Sequence, residues 1–317
     1  MPVNLDKPLN WKQDIKLSVD MYNDWFMRFA PVAFRDTRVR VTTDVEKTLE
    51  LTKNLTDISA TVLQNHPGVL PTLRMSTCPP IAVDRLVGLS DVSKNLVNCL
   101  EEGHLPKRMS ATQLERELSM IGSLIQRMVD PDIFVWRESG RVPQTDEVHR
   151  AATIVADRLT NADANPIIRN AQETRQLNLI AKWLEARGYT KLRTGIKYNA
   201  MPAGTYSFRL NIPVSAKDGK STINIPIDTV VMPLSAKAGT LPLMIEAKSA
   251  GDYTNTNKRR KEEAQKINQL RSTLGETVRF VLFLCGYFDT QYLGYEAGEG
   301  IDWVWEHRID DLAQFGI

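Results

Sequence analysis

The chain has 317 residues, 42% of them hydrophobic and 25% charged, with a formal net charge of +2. That balance excludes a disordered or fibrous polymer and admits one large or two ordinary globular domains. Bulk charge gives no reason to expect a nucleic-acid ligand, so any basic patch has to be found locally.

The N-terminus carries no basic segment leading into an apolar run, so no secretory signal is visible. No stretch approaches the roughly 18 apolar residues needed to cross a bilayer. The best apolar run, Val281–Cys285, is strand-sized. Cys78, Cys99 and Cys285 are far apart and odd in number, and the four histidines are scattered, which suggests neither a disulfide framework nor a zinc site. A soluble, intracellular protein is expected.

Apolar spacing predicts helices over Trp11–Phe29, Val45–Leu55, Val92–Leu100 and Ala111–Met128. Ser110 followed by Gln113 offers a capping box for the last of these. Prolines at 67–71, 79–80 and 131 punctuate them, and 129–146 reads as a loop. A further helix is predicted from Asn170 to Arg187, with Gly188 at its end. Strand signals then follow at Tyr206–Val214, Ile223–Met232 and Leu241–Ala247. A helix from about Lys258 to Leu274 has Ala264, Ile267, Leu270 and Leu274 as its buried stripe. Val278–Tyr287 is the most apolar strand, Trp303–Trp305 a short one, and Ile309–Phe315 a final helix. This order predicts an α/β fold, a mixed sheet flanked by helices, preceded by a mostly helical region. The boundary is expected near 165, dividing residues 1–165 from 166–317.

The chemistry concentrates at the end of one strand. In Glu246-Ala247-Lys248 the outer two side chains share a face, because strand side chains alternate. The preceding strand carries Asp228 in Ile225-Pro226-Ile227-Asp228. A simple antiparallel hairpin centred on Lys237 puts Asp228 directly across from Glu246, with Cβ atoms roughly 5 Å apart. Two carboxylates that close repel unless a cation or proton lies between them. Oxygen ligands of this kind suit Mg²⁺. Lys248 on the same face can orient a water or stabilise developing negative charge. An acid-x-Lys triplet alone is equally a solvated ion pair; the upstream Asp in register and the basic segment that follows favour the functional reading.

That segment runs Tyr253-Thr254-Asn255-Thr256-Asn257-Lys258-Arg259-Arg260-Lys261. Four cations in a first helical turn oppose the macrodipole, and Glu262 and Glu263 only partly offset them. An external phosphate at the helix start resolves the conflict. Asn and Arg can also read base edges. Glu173 is a further candidate metal ligand, although an early-helix Glu is stabilising in any case. Arg74 and Arg85 are candidate phosphate contacts, set against an ordinary surface role.

Asp228 with Glu246-Ala247-Lys248 resembles the core motif of the PD-(D/E)xK nucleases, with Ile227 inserted between the motif's Pro and Asp. Longer segments resemble type II restriction endonucleases of the SalI/XamI kind: Glu246–Ala264, Thr72–Ser90, Arg169–Leu177, Phe283–Tyr295, Gly300–Leu312 and Met21–Phe26. The resemblance spans nearly the whole chain. It implies a PD-(D/E)xK core at 166–317 and a helical region at 1–165 for DNA contacts or dimerisation. It implies Mg²⁺ as cofactor, held by Asp228, Glu246 and the Ala247 carbonyl. It also implies double-stranded DNA cut at a palindrome, GTCGAC, by a homodimer, a cognate methyltransferase as functional partner, and a prokaryotic cytoplasmic setting. Two other readings stay open at this point: a structure-specific repair or junction nuclease, and a non-catalytic DNA-binding protein.

Overall fold

The computed structural model describes residues 2–193, 195–215, 221–254 and 256–317, without the side chains of 256–259. In chain order they form α1 (Pro8–Leu51), α2 (Ala60–Asn65), α3 (Leu70–Met75), α4 (Val83–Ser90), α5 (Lys94–Glu101), α6 (Ala111–Met128), α7 (Trp136–Ser139) and α8 (Thr145–Glu185). Then follow β1 (Thr190–Lys191), β2 (Thr205–Ser215), β3 (Thr222–Met232), β4 (Leu243–Ala250), α9 (Thr256–Leu274), β5 (Arg279–Gly286), α10 (Thr290–Gly298), β6 (Asp302–Trp305) and a closing 3-10 segment, Glu306–Phe315.

Two helices are longer than their sequence signals. Trp11–Phe29 and most of Val45–Leu55 belong to one 44-residue helix, α1, with Pro31 inside it. The predicted helix Asn170–Arg187 is, up to Glu185, the end of the 41-residue α8, which contains Pro166. A proline inside a helix removes one hydrogen bond without forcing the helix to end. The chain divides into two compact units, Met1–Phe29 with Ile168–Ile317, and Ala30–Ile167. Each division falls beside one of these prolines.

In the unit of residues 30–167, Leu49, Leu63, Leu73, Leu96, Leu118, Ile121, Phe134 and Trp136 form a buried core. Ser110 caps α6 by accepting from the Gln113 N–H at 3.2 Å. The reciprocal half of the expected capping box does not form, because the Gln113 amide donates to Glu117 instead.

The other unit is built on one six-stranded sheet in the order β1-β2-β3-β4-β5-β6. The pairs β2/β3 and β3/β4 are antiparallel; β1/β2, β4/β5 and β5/β6 are parallel. Side-chain alternation gives the sheet two apolar faces. Ile245, Val281, Phe283 and Val304 pack with Ile180, Trp183 and Leu184 of α8. Met244, Leu282, Leu284 and Trp303 pack with Ile267 and Leu270 of α9 and Leu293 of α10.

The expected boundary near 165 overlooks the first 29 residues, which belong to the sheet unit. The reason is local. The Asp302 carboxylate at the start of β6 accepts backbone N–H bonds from Val3, from Asn4 at 2.9 Å and from Leu5 at 3.1 Å. Trp11 packs edge-on against Trp303 at 5.4 Å. Ser18 accepts from the Gly286 N–H at 2.8 Å. Loss of charge-assisted bonds leaves buried donors unsatisfied, so Asp302→Ala should cost about 2–3 kcal/mol. A lower free energy of denaturant unfolding, with faster deuterium exchange at Val3–Leu5, checks this; unchanged values contradict it.

Candidate active site

The geometry of the site follows from the turn that joins β3 to β4. Between Pro233 and Thr240, two hydrogen-bonded turns form, Ala236 N to Pro233 O and Thr240 N to Lys237 O. Across them Thr229 pairs with Ile245, Val230 with Met244 and Val231 with Leu243. This is the register expected for a hairpin centred on Lys237. The ladder stops at Thr229, and the Asp228 carboxylate takes over: it accepts from the Ala247 N–H at 2.9 Å. Pro226 helps to end the ladder. It has no N–H to donate, and prolines occur in strands at such unpaired edges.

Beyond Thr229 the edge of β3 is therefore open towards α9. Asp228 and Glu246 lie on the sheet face that α9 covers, as Val230 and Met244 do. Glu246 is buried at 4% exposure. Its Oε1 is 3.1 Å from Lys248 Nζ and 2.6 Å from Lys266 Nζ. Its Oε2 is buried with no hydrogen-bond partner. Lys248 Nζ also lies 3.1 Å from Glu263 Oε1, and Glu263 is 1% exposed. Lys266 donates in addition to the Pro226 carbonyl at 3.1 Å, using the acceptor that the broken ladder leaves.

Burial, and then the neighbouring Glu246 charge, push the Asp228 carboxyl up to about 6. Burial disfavours the Lys248 ammonium, but the Glu246 and Glu263 carboxylates outweigh it and hold Lys248 above the ordinary lysine value. Lys248 is thus a cation at neutral pH: it can donate hydrogen bonds and stabilise negative charge, but it is not poised to remove a proton.

Other expected site residues are placed differently. Glu173 is on α8, and its Oε1 accepts from Arg209 Nη2 at 2.7 Å and Nε at 3.2 Å. α8 packs on the face of the sheet opposite α9, so Glu173 does not join the acidic pair. Among the described residues, no group of three or more His, Cys, Asp or Glu side chains is arranged to hold a metal. Arg74 does not fit a phosphate contact. It is 7% exposed, donates to Glu101 at 2.8 Å and 2.5 Å, and ties the Ile81 carbonyl. Arg85 is exposed.

In the segment after β4, Tyr253 is 46% exposed and packs edge-on against Tyr287 at 5.1 Å. The Thr254 N–H donates to Asp252 at 2.8 Å. Arg260 lies over the Tyr295 ring at 3.5 Å, and Lys261 is exposed. Asn255 and the side chains of Thr256, Asn257, Lys258 and Arg259 lie outside the described residues.

The sequence reading missed Glu263, Lys266 and Arg209. Glu263 had a legible signal: the stripe of Leu270 and Ile267, continued one turn back, lands on it. A charge on an apolar helix face needs a buried partner.

The sequence pattern of the XamI restriction endonucleases matches residues 53–305. The type II restriction enzyme SalI of Streptomyces albus G is 51% identical over 316 residues, covering 99% of each chain. The chain belongs to the XamI restriction endonuclease family. As a member it is a type II site-specific deoxyribonuclease, with DNA as its substrate. The crystal structure of protein VC1899 from Vibrio cholerae aligns at 15% identity and a TM-score of 0.30, over 86% of this chain and 56% of that one, too slight a likeness to carry an argument. No helix among the described residues is long and apolar enough to cross a membrane.

The raised Asp228 carboxyl gives a stability test. An acid whose folded pKa exceeds its ordinary value of 3.8 penalises the folded state once it ionises. Stability is therefore lost as pH rises through about 6. Asp228→Asn should stabilise the metal-free protein by about 3 kcal/mol at pH 8 and by nothing near pH 3. Urea unfolding in EDTA at the two pH values checks this; equal effects at both contradict it.

Proposed function

We propose that this restriction endonuclease hydrolyses DNA phosphodiester bonds with Mg²⁺, using a PD-(D/E)xK-type site of Asp228, Glu246 and Lys248. The observation that carries the reading is the half-buried Asp228 held beside Glu246, whose Oε2 is buried without a hydrogen-bond partner. A buried anionic oxygen in that state is poorly satisfied unless a cation meets it.

The donor set fits Mg²⁺. Both side chains offer hard oxygen ligands, and Mg²⁺ is commonly bound by one or two carboxylates together with water and substrate phosphate. The Ala247 N–H points to Asp228. A strand residue directs its N–H and C=O to the same edge, so the Ala247 carbonyl is a third oxygen on that side. When bound, Mg²⁺ lowers the pKa of a water and neutralises charge on the reacting phosphate. Lys248 carries three N–H donors, and its Nζ stands 3.1 Å from both Glu246 Oε1 and Glu263 Oε1. Held there, it can donate to the attacking water or a phosphate oxygen, where a fixed ammonium favours the more negative transition state.

Tyr253, Thr254 and Lys261, with the start of α9, directly follow the strand that carries Glu246 and Lys248. We assign this segment to DNA contact, and the exposed Arg85 remains a candidate phosphate ligand. The family resemblance supports GTCGAC as the site, a homodimer whose symmetry matches the palindrome, a protecting methyltransferase in the same system, and action in a prokaryotic cytoplasm.

Plasmid DNA incubated with the protein should give discrete fragments with Mg²⁺ and none in EDTA, and sequenced ends should lie at GTCGAC. Lys248→Ala should retain DNA binding and lose cleavage by at least about 10²-fold. Cutting by that variant at the normal rate contradicts the assigned roles, and ends at unrelated sequences contradict the recognition site.

A further inference from the structure

The site contains two residues that the Asp, Glu and Lys of the motif do not account for, and both come from α9. Glu263 and Lys266 stand three positions apart, so they share one helix face. It is the face that packs on the sheet through Ile267 and Leu270. Each reaches a different member of the motif: Glu263 meets Lys248 at 3.1 Å, and Lys266 meets Glu246 at 2.6 Å. Lys266 is also fixed from the strand side by the Pro226 carbonyl at 3.1 Å.

We propose that Glu263 and Lys266 are positioning residues of the cleavage reaction, a Glu-x-x-Lys pair on α9 that sets the Lys248 ammonium and the Glu246 carboxylate in working geometry. The inference rests on the roles assigned above to Glu246 and Lys248.

Three features favour positioning over a purely structural ion pair. First, Glu263 is 1% exposed and its surroundings offer poor compensation for a charge. Burial raises its carboxyl more than Lys248 lowers it, so the helix carries this acid at a cost. A hydrophobic residue at the same point of the stripe would pack at lower cost. Second, Glu296 of α10 is fully buried, and burial followed by the Glu263 charge pushes its carboxyl up to about 8. Glu296 therefore holds its proton at neutral pH, and Glu263 is the carboxyl that the helix sets 3.1 Å from Lys248. Third, a lysine on a flexible stem has many rotamers, and two fixed anions at 3.1 Å each leave it few.

α9 begins at Thr256, in the segment assigned to DNA contact, and Glu263 and Lys266 lie two to three turns further along the same helix.

The test uses the full-length chain and a duplex carrying the cleavage site mapped by end sequencing. DNA affinity is measured in EDTA, and the single-turnover cleavage rate at saturating Mg²⁺. Glu263→Gln and Lys266→Met should each slow cleavage by about 10²-fold, with affinity changed less than about threefold. Lys266→Arg, which restores the cation, should recover most of the rate. A structural role alone would lower affinity and rate together and would not respond to the Arg replacement. If Glu263→Gln fails to fold, Lys266→Met and Lys266→Arg decide the matter, since Lys266 keeps 19% exposure of its side chain. Wild-type rates in both variants, beside an inactive Lys248→Ala, overturn this inference and leave the motif roles standing. A fully active Lys248→Ala overturns the motif roles themselves.

Discussion

Two carboxylates, Asp228 and Glu246, sit side by side in a largely buried place, and the sheet unit is arranged around that conflict. Burial, and then the adjacent Glu246 charge, push the Asp228 carboxyl up to about 6. The surroundings answer with fixed positive groups: the Ala247 N–H on Asp228, and the Lys248 and Lys266 ammonium groups on one oxygen of Glu246. The other oxygen of Glu246 has no such answer. Both oxygens of the adjoining Glu263 are likewise buried without a hydrogen bond of good geometry, although Lys248 Nζ lies 3.1 Å from one of them.

The fold supplies this arrangement through two devices. A hairpin register sets the carboxylates opposite each other, and an early end to the ladder opens the edge of β3 beyond Thr229. α9 then enters that opening with Glu263 and Lys266 on its buried stripe. Gly286 fixes the neighbouring strand end. Its φ of +98° suits glycine, and a side chain there would stand 2.1 Å from the Ala250 carbonyl, just where the chain leaves β4 for the segment proposed to contact DNA.

Much of this was legible beforehand because it rests on local rules. Strand alternation and a turn between Pro233 and Thr240 determine the β3/β4 register. The apolar runs at 223–232, 241–247 and 278–287 mark buried strands, and the periodicity at 111–128 marks α6. What stayed hidden depends on contacts distant in sequence. The first 29 residues join the sheet because Asp302 and Trp303 hold them, and nothing near Val3 or Trp11 announces partners almost three hundred residues away. Arg74 looks like any surface cation until Glu101 is folded against it. Pro31 and Pro166 look like helix breaks, yet each sits within a continuous helix. Glu263 reads in sequence as a partial offset to the cations at the helix start, although the stripe it extends puts it on the buried side.

The central claim is that Asp228 and Glu246 together form a divalent-cation site. The most direct test is calorimetric titration of Mn²⁺ into the DNA-free protein, in parallel with Asp228→Asn and Glu246→Gln. The account predicts saturable binding to the wild-type chain that each substitution weakens by at least about tenfold. Binding of undiminished affinity in both variants would place the metal elsewhere and contradict it.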